Sequence, residues 1–152
     1  MLEQEIAALV HFMKPYKVKP YFLKLPKNFA TPSAFFPPPE IDGEEHSLST
    51  YANTFSLYLK IFDKDSVSAY TIASKLVKSI QNRRKLIPLY DENGKLTDKN
   101  FRITKLSAKL IDDGVAQIAL EWKTLTAYDE ETYTKVSEFY YGGLATSKEK
   151  EG

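Results

Sequence analysis

The sequence contains no cysteine, only two histidines, and six glycines. Without cysteine there is no disulfide, no thiolate nucleophile and no cysteine-ligated zinc, and a reducing compartment suits such a chain. His11 has no histidine or carboxylate four residues away, and His46 follows Glu44 and Glu45 in no known ligand pattern, so neither reads as a metal ligand. The six glycines build no phosphate-cradling loop, and there is no G-x-S-x-G elbow. With neither thiol nor placed histidine, no nucleophile–base pair can be drawn. The adjacent carboxylates Asp112/Asp113 and Glu130/Glu131 read as a turn former and a helix start. No apolar run approaches the roughly 20 residues of a membrane span. Met1–Glu5 is acidic where a signal peptide begins basic, so secretion by that route is not expected. A basic excess is lacking too: 21 Lys and Arg against 20 Asp and Glu leave a net charge of +1, which argues against a general nucleic-acid binder. These absences point away from an enzyme, a cofactor or metal protein, and a membrane protein.

What the chain has is length and aromatics. Its 152 residues suit one domain that buries roughly 70% of its unfolded surface, enough for a core without metal or crosslink. Ten tyrosines and nine phenylalanines favour strands and are also the residues that protein–protein interfaces concentrate.

The pattern along the chain predicts its elements. Residues 2–13 carry Leu2, Ile6, Leu9, Val10 and Met13 at helical spacing, stopped by Pro15. Residues 17–25 are extended, with Pro20 demoting them to an edge or to a strand beginning near Tyr21. Ala34–Phe36 is a short apolar strand candidate, and 37–48 reads as a long polar loop of the kind that compact domains keep for function. Ser49–Phe62 alternates with period two, Tyr51, Phe55, Leu57, Leu59 and Ile61 on the buried face. Asp63 and Asp65 offer N-caps to a helix over 66–83 with an Ala69, Ile72, Ala73, Leu76, Val77, Ile80 stripe, closed by Arg83, Arg84 and Lys85 at the negative end of its dipole. Leu86–Tyr90, Phe101–Leu110 and Val115–Tyr128 are antiparallel strands joined by Asn93-Gly94, read as a type I′ turn, and by Asp112-Asp113-Gly114. The oxygens of Asp91, Asn93 and Asp98 lack calcium-loop spacing. A short helix is expected over 129–141, with a disordered tail over 142–152.

The expected fold is α+β: a mainly antiparallel sheet of four to five strands, two to three helices packed on one face, and a single domain over 1–141. Trp122 falls on the inward parity of the last strand and reads as a packing anchor. Arg83-Arg84-Lys85, the sharpest basic cluster, reads first as a solvated helix end and second as a partner for phosphate or for acids on another subunit.

Pro32–Glu40, Ser49–Asp63, Ile87–Gly94, Phe101–Ile103 and Gly114–Trp122, in that order, resemble the tail terminator, or tail completion, proteins of long-tailed bacteriophages and prophages, over roughly residues 20–128. The resemblance is one of strands, turns and an intervening helix, with no catalytic signature. It implies a small α+β structural subunit, without cofactor, that closes into a ring, commonly a hexamer. Such a ring caps the tail tube, stops its polymerisation and meets the head-completion protein, in the host cytoplasm during assembly and then in the virion. A ring needs two different patches on one subunit that meet head to tail. The loop over 37–48 and the hairpin tip over 91–98 are suited to act as arms. Candidate contact residues for the neighbouring subunit or the tube are Phe35, Phe36, Arg83, Arg84, Tyr90 and Asn93. Another head–tail connector or tail-assembly component, and a small nucleic-acid-binding module using Arg83-Arg84-Lys85, are the alternatives. The latter would reveal itself by salt-dependent binding.

Overall fold

The computed structural model describes residues 4–129. The C-terminal helix expected over 129–141 therefore lies, from residue 130 on, outside the described residues, as does the tail over 142–152. In chain order the elements are α1 (Gln4–Met13), a 3-10 turn (Lys14–Tyr16), β1 (Lys19–Phe22), β2 (Ser33–Phe36), β3 (Glu40–Glu45), β4 (Thr50–Phe62), α2 (Ser66–Asn82), β5 (Leu86–Tyr90), β6 (Leu96–Asp112) and β7 (Val115–Ala127). The fold is α+β with a mostly antiparallel sheet in the order β1-β2-β4-β7-β6-β5, and β3 pairs with β4 beside that path. β1 and β2 pair in parallel, Lys19 opposite Ser33 and Phe22 opposite Phe36.

The sheet has seven strands, not the expected four to five. Ala34–Phe36 makes a full strand because it lies between two neighbours: β1 on one side and β4 on the other, with Ala34 opposite Ile61. Glu40–Glu45 carries no apolar alternation and is exposed throughout, so only its pairing with β4 makes it a strand. Cross-strand context here overrides intrinsic preference.

By compactness the described residues divide into two units, 4–42 with 54–123, and 43–53 with 124–129. The first unit holds the core. β4 presents Phe55, Leu57, Leu59 and Ile61 inward, and β7 presents Ala116, Ile118, Leu120 and Trp122, as period two requires. Phe101 and Ile103 of β6 join them. The β6–β7 register shifts between Ile103 and Lys105, so beyond the bulge the inward set moves by one residue to Leu106 and Ala108. Trp122, opposite Ile103, is wholly buried between Phe55 (stacked, 5.5 Å) and Phe101 (edge-on, 5.7 Å).

Both helices bury their stripes in this same cluster, which places them on one face of the sheet. α2 contributes Ala69, Ala73, Leu76 and Ile80, spaced three and four apart, and the two alanines let its backbone approach the strands. Its start is fixed by Asp65, whose carboxylate accepts the Ser68 N–H at 2.7 Å. α1 contributes Ile6, Ala8, Leu9 and Met13. Each fully buried Leu, Ile or Phe side chain of this set contributes on the order of 1.5–3 kcal/mol.

In the second unit the β3–β4 hairpin is closed by Ser47 and Thr50. The Ser47 N–H donates to the Thr50 carbonyl at 3.0 Å, their hydroxyls share a 2.7 Å hydrogen bond, and His46 Nδ1 lies 2.9 Å from Thr50 Oγ1. Tyr51, expected on the buried face, is half-buried and packs against Tyr128 at 5.3 Å, while Ala52 is buried instead.

Candidate subunit interface

The six candidate contact residues fall into two groups. Phe35 and Phe36 lie on β2, and Arg83, Arg84, Tyr90 and Asn93 lie on or beside β5. β4, β7 and β6 stand between them in the sheet. At about 4.8 Å per strand, β2 and β5 are roughly 19 Å apart along the sheet. Phe36 is a core residue, 2% exposed and 5.3 Å from the Phe22 ring, so it anchors the strand and offers no surface. Phe35 is half-buried, on the opposite parity, paired with Lys60.

The β5 border is built by α1, the end of α2 and β5. The Arg83 guanidinium lies 5.8 Å from the centre of the Phe12 ring, and Tyr90 stacks on His11 at 4.0 Å. Adjacent residues of α1 thus tie Arg83 and Tyr90 to one corner. Gln4 Nε2 donates to the Tyr90 carbonyl at 3.0 Å and pins the far end of β5. Arg84 and Lys85 both adopt left-handed backbone, φ 59° and 62°. Each such non-glycine residue costs roughly 1–2 kcal/mol. Surrounding bonds hold the pair: Lys85 N–H to Ile80 O at 2.9 Å, Ile103 N–H to Lys85 O at 2.8 Å, and Arg102 Nη1 to Arg84 O at 3.2 Å. The corner therefore gathers four cations, Arg83, Arg84, Lys85 and Arg102. Arg102, drawn in from β6, carries no sequence signal of its own, because only the register brings it opposite Leu86.

Asn93 sits in the β5–β6 turn. The turn is not type I′, since Gly94 has φ 78° and Asn93 is not in the positive region. Instead the Gly94 N–H returns to the Asp91 carbonyl at 2.9 Å, and Asp91 Oδ1 accepts from Asn93 N–H and Lys95 N–H at 2.9 and 2.8 Å. This is a type I turn followed by a left-handed glycine. The aspartate, more than the asparagine, organises it.

On the face away from the helices, Ser56, Tyr58, Lys105, Ser107, Ala119 and Glu121 line an open depression of ≈ 260 Å³. Lys105 pairs with Glu121 across the strands, and Ser56 Oγ donates to Glu121 Oε2 at 3.5 Å. This is a solvated sheet face of the kind antiparallel sheets tolerate. Among the described residues, no helix is long and apolar enough to cross a membrane, and no three metal-ligating side chains converge.

Within the 37–48 segment, expected as a loop, no individual residue of what is β3 was among the candidate contacts. The feature that sets β3 apart is charge: Glu40, Asp42, Glu44 and Glu45 follow three prolines without an intervening cation.

No family model matches the chain. It is 32% identical over 128 residues to the phage-like element PBSX protein XkdJ of Bacillus subtilis (strain 168), a match covering 84% of this chain and 88% of that protein. It is 29% identical over 142 residues to the uncharacterized protein YqbJ of the same strain, covering 92% of this chain and 97% of that protein.

Proposed function

The chain belongs to the family of the phage-like element PBSX protein XkdJ, and on that premise we propose that it is a structural subunit of a phage or prophage tail, the tail terminator. It closes into a ring, a hexamer on assembly, that caps the tail tube, ends its polymerisation and joins the tail to the head. Its partners are further copies of itself, the tail tube protein and the head-completion protein, in the host cytoplasm during assembly and then in the virion. No chemistry is assigned to it.

The observation that carries this reading, beyond the family, is the presence of two unlike borders on one subunit. One is formed by β1 and β2, and the other by the cationic corner at β5. A self-complementary dimer uses one patch twice, whereas a ring uses two different patches once each. The order of strands and turns in the sequence also resembles that of tail terminator proteins, which supports the reading. Light scattering across concentration, with and without tail tube protein, tests the reading. A complex whose mass plateaus at a fixed multiple of the subunit is expected. A strict monomer in both conditions would favour another tail-assembly role or the nucleic-acid alternative, which a salt titration against DNA then separates.

A further inference from the structure

A sheet edge is a template for another chain unless it is blocked. At β1, Lys19 N–H donates to Pro32 O and Leu23 N–H to Phe36 O, both at 3.1 Å, so the odd residues face β2 and the even ones face outward. The outward residues are Pro20, which has no N–H, and Phe22, whose carbonyl is taken by Lys24 N–H at 2.6 Å. At β5, Lys85 O accepts from Ile103 N–H and Leu89 O from Thr97 Oγ1, both at 2.8 Å, so the even residues face outward. Leu86 N–H is taken by Arg83 O at 3.1 Å, Pro88 has no N–H, and Tyr90 O is taken by Gln4 at 3.0 Å. Proline and local bonds thus remove part of the outward hydrogen-bonding capacity of both end strands, which makes them poorer templates for strand addition.

β3 is different. It contains no proline, is exposed at every residue, and among the described residues pairs with β4 and no other strand. It also carries the chain's sharpest charge contrast. From Ile6 to Pro39 there are five lysines (Lys14, Lys17, Lys19, Lys24 and Lys27) and no acid. From Glu40 to Glu45 there are four carboxylates, and no Lys or Arg follows until Lys60. The five lysines are exposed; Lys19 lies on β1 and the other four flank it in sequence. A chain with a net charge of only +1 therefore presents one anionic strand and a lysine-rich border at β1, besides the cationic corner at β5.

We propose that β3 of one copy docks along the lysine border of β1 of the next, making the head-to-tail contact between subunits. The contact rests on the reading of the chain as a ring-forming subunit and says which surfaces close the ring. A second copy is the occupant because the two surfaces are complementary in sign and both belong to every copy. With Pro20 offering no N–H and the Phe22 carbonyl already taken, side-chain charge carries the contact, which makes it weaken with salt.

The test uses two variants of the full chain, Glu40→Lys/Asp42→Lys/Glu45→Lys and Lys19→Glu/Lys24→Glu/Lys27→Glu. All six positions are exposed, so circular dichroism and melting temperature should match wild type. Association is followed by light scattering at low salt, with and without tail tube protein. Each variant alone should associate at least ~10-fold more weakly than wild type, and the equimolar mixture should recover most of the loss, since each reversed surface then meets its opposite. Variants that assemble like wild type, or a mixture that stays dissociated, overturn the contact while leaving the ring reading in place. So does association that survives both reversals but is lost in Arg84→Glu/Arg102→Glu. A wild type that stays monomeric even with tube protein overturns both.

Discussion

Gly114 and Ser66 join the sheet to the helix that covers it. The Gly114 N–H donates to Ser66 Oγ at 3.0 Å, and the Gly114 carbonyl accepts the Asp63 N–H at 3.0 Å. The turn between β6 and β7 thereby grips the corner where β4 hands the chain to α2. Gly114 has φ 70°, and a Cβ there would stand 2.7 Å from the Asp63 carbonyl oxygen. Gly94 has φ 78° in the other turn, with nothing within 4 Å of its would-be Cβ.

The two glycines should therefore respond differently. Gly94→Ala meets only the left-handed penalty and should cost about 1–2 kcal/mol. Gly114→Ala meets that penalty and a backbone clash that no side chain can relieve, and should cost at least ~1 kcal/mol more. Urea unfolding of the two variants measures the gap, and equal losses would mean that the corner yields.

Trp122 is wholly buried, but its Nε1 has no hydrogen-bond partner. Trp122→Ala should cost on the order of 3–5 kcal/mol and leave little folded protein. Trp122→Phe removes the orphan donor along with part of the volume, and should cost only about 1–2 kcal/mol. Ser33 Oγ is buried without a partner as well, so Ser33→Ala should be neutral or stabilising by up to ~1 kcal/mol. A well-folded Trp122→Ala chain that had lost only assembly would place the indole at an interface instead.

Asp65 gives the chain an acid-sensitive joint. The backbone N–H of Ser68 at the helix start, with the Ser68 side chain second, holds its carboxyl below the ordinary value of 3.8. A lowered folded-state pKa means that the stabilisation is complete above the unfolded value and is lost as pH falls through the folded one. The stability difference between wild type and Asp65→Asn should hold constant from neutrality down to about pH 4 and shrink below that. Urea midpoints across pH report it, and a difference that is flat below pH 4 contradicts the assignment.

Much of this architecture was legible from period and punctuation. Leu86–Tyr90 matches its predicted bounds, and Ser49–Phe62, the helix from Ser66 and the strand from Val115 match within a residue or two. Each couples a clear apolar period to a turn or cap residue, so local signals agreed with the final packing. β3 was illegible because nothing in Glu40–Glu45 favours a strand except the partner it finds in β4. β6 ran longer than expected because Leu96–Asn100 is polar and held by pairing to β5. Of the candidate contacts, Phe36 lies in the core instead of on the surface. Its parity on a strand flanked on both sides sends it inward. The cationic corner was half visible, since Arg83 and Arg84 are adjacent in sequence while Arg102 arrives through register.

The central claim is that this subunit stops a tail tube from growing. The direct measurement is electron microscopy of tail tube protein polymerising with and without the purified chain. The account predicts shorter tubes, each closed at one end by a ring, with growth that does not resume when fresh tube protein is added. Tubes with unchanged lengths and bare ends would contradict it.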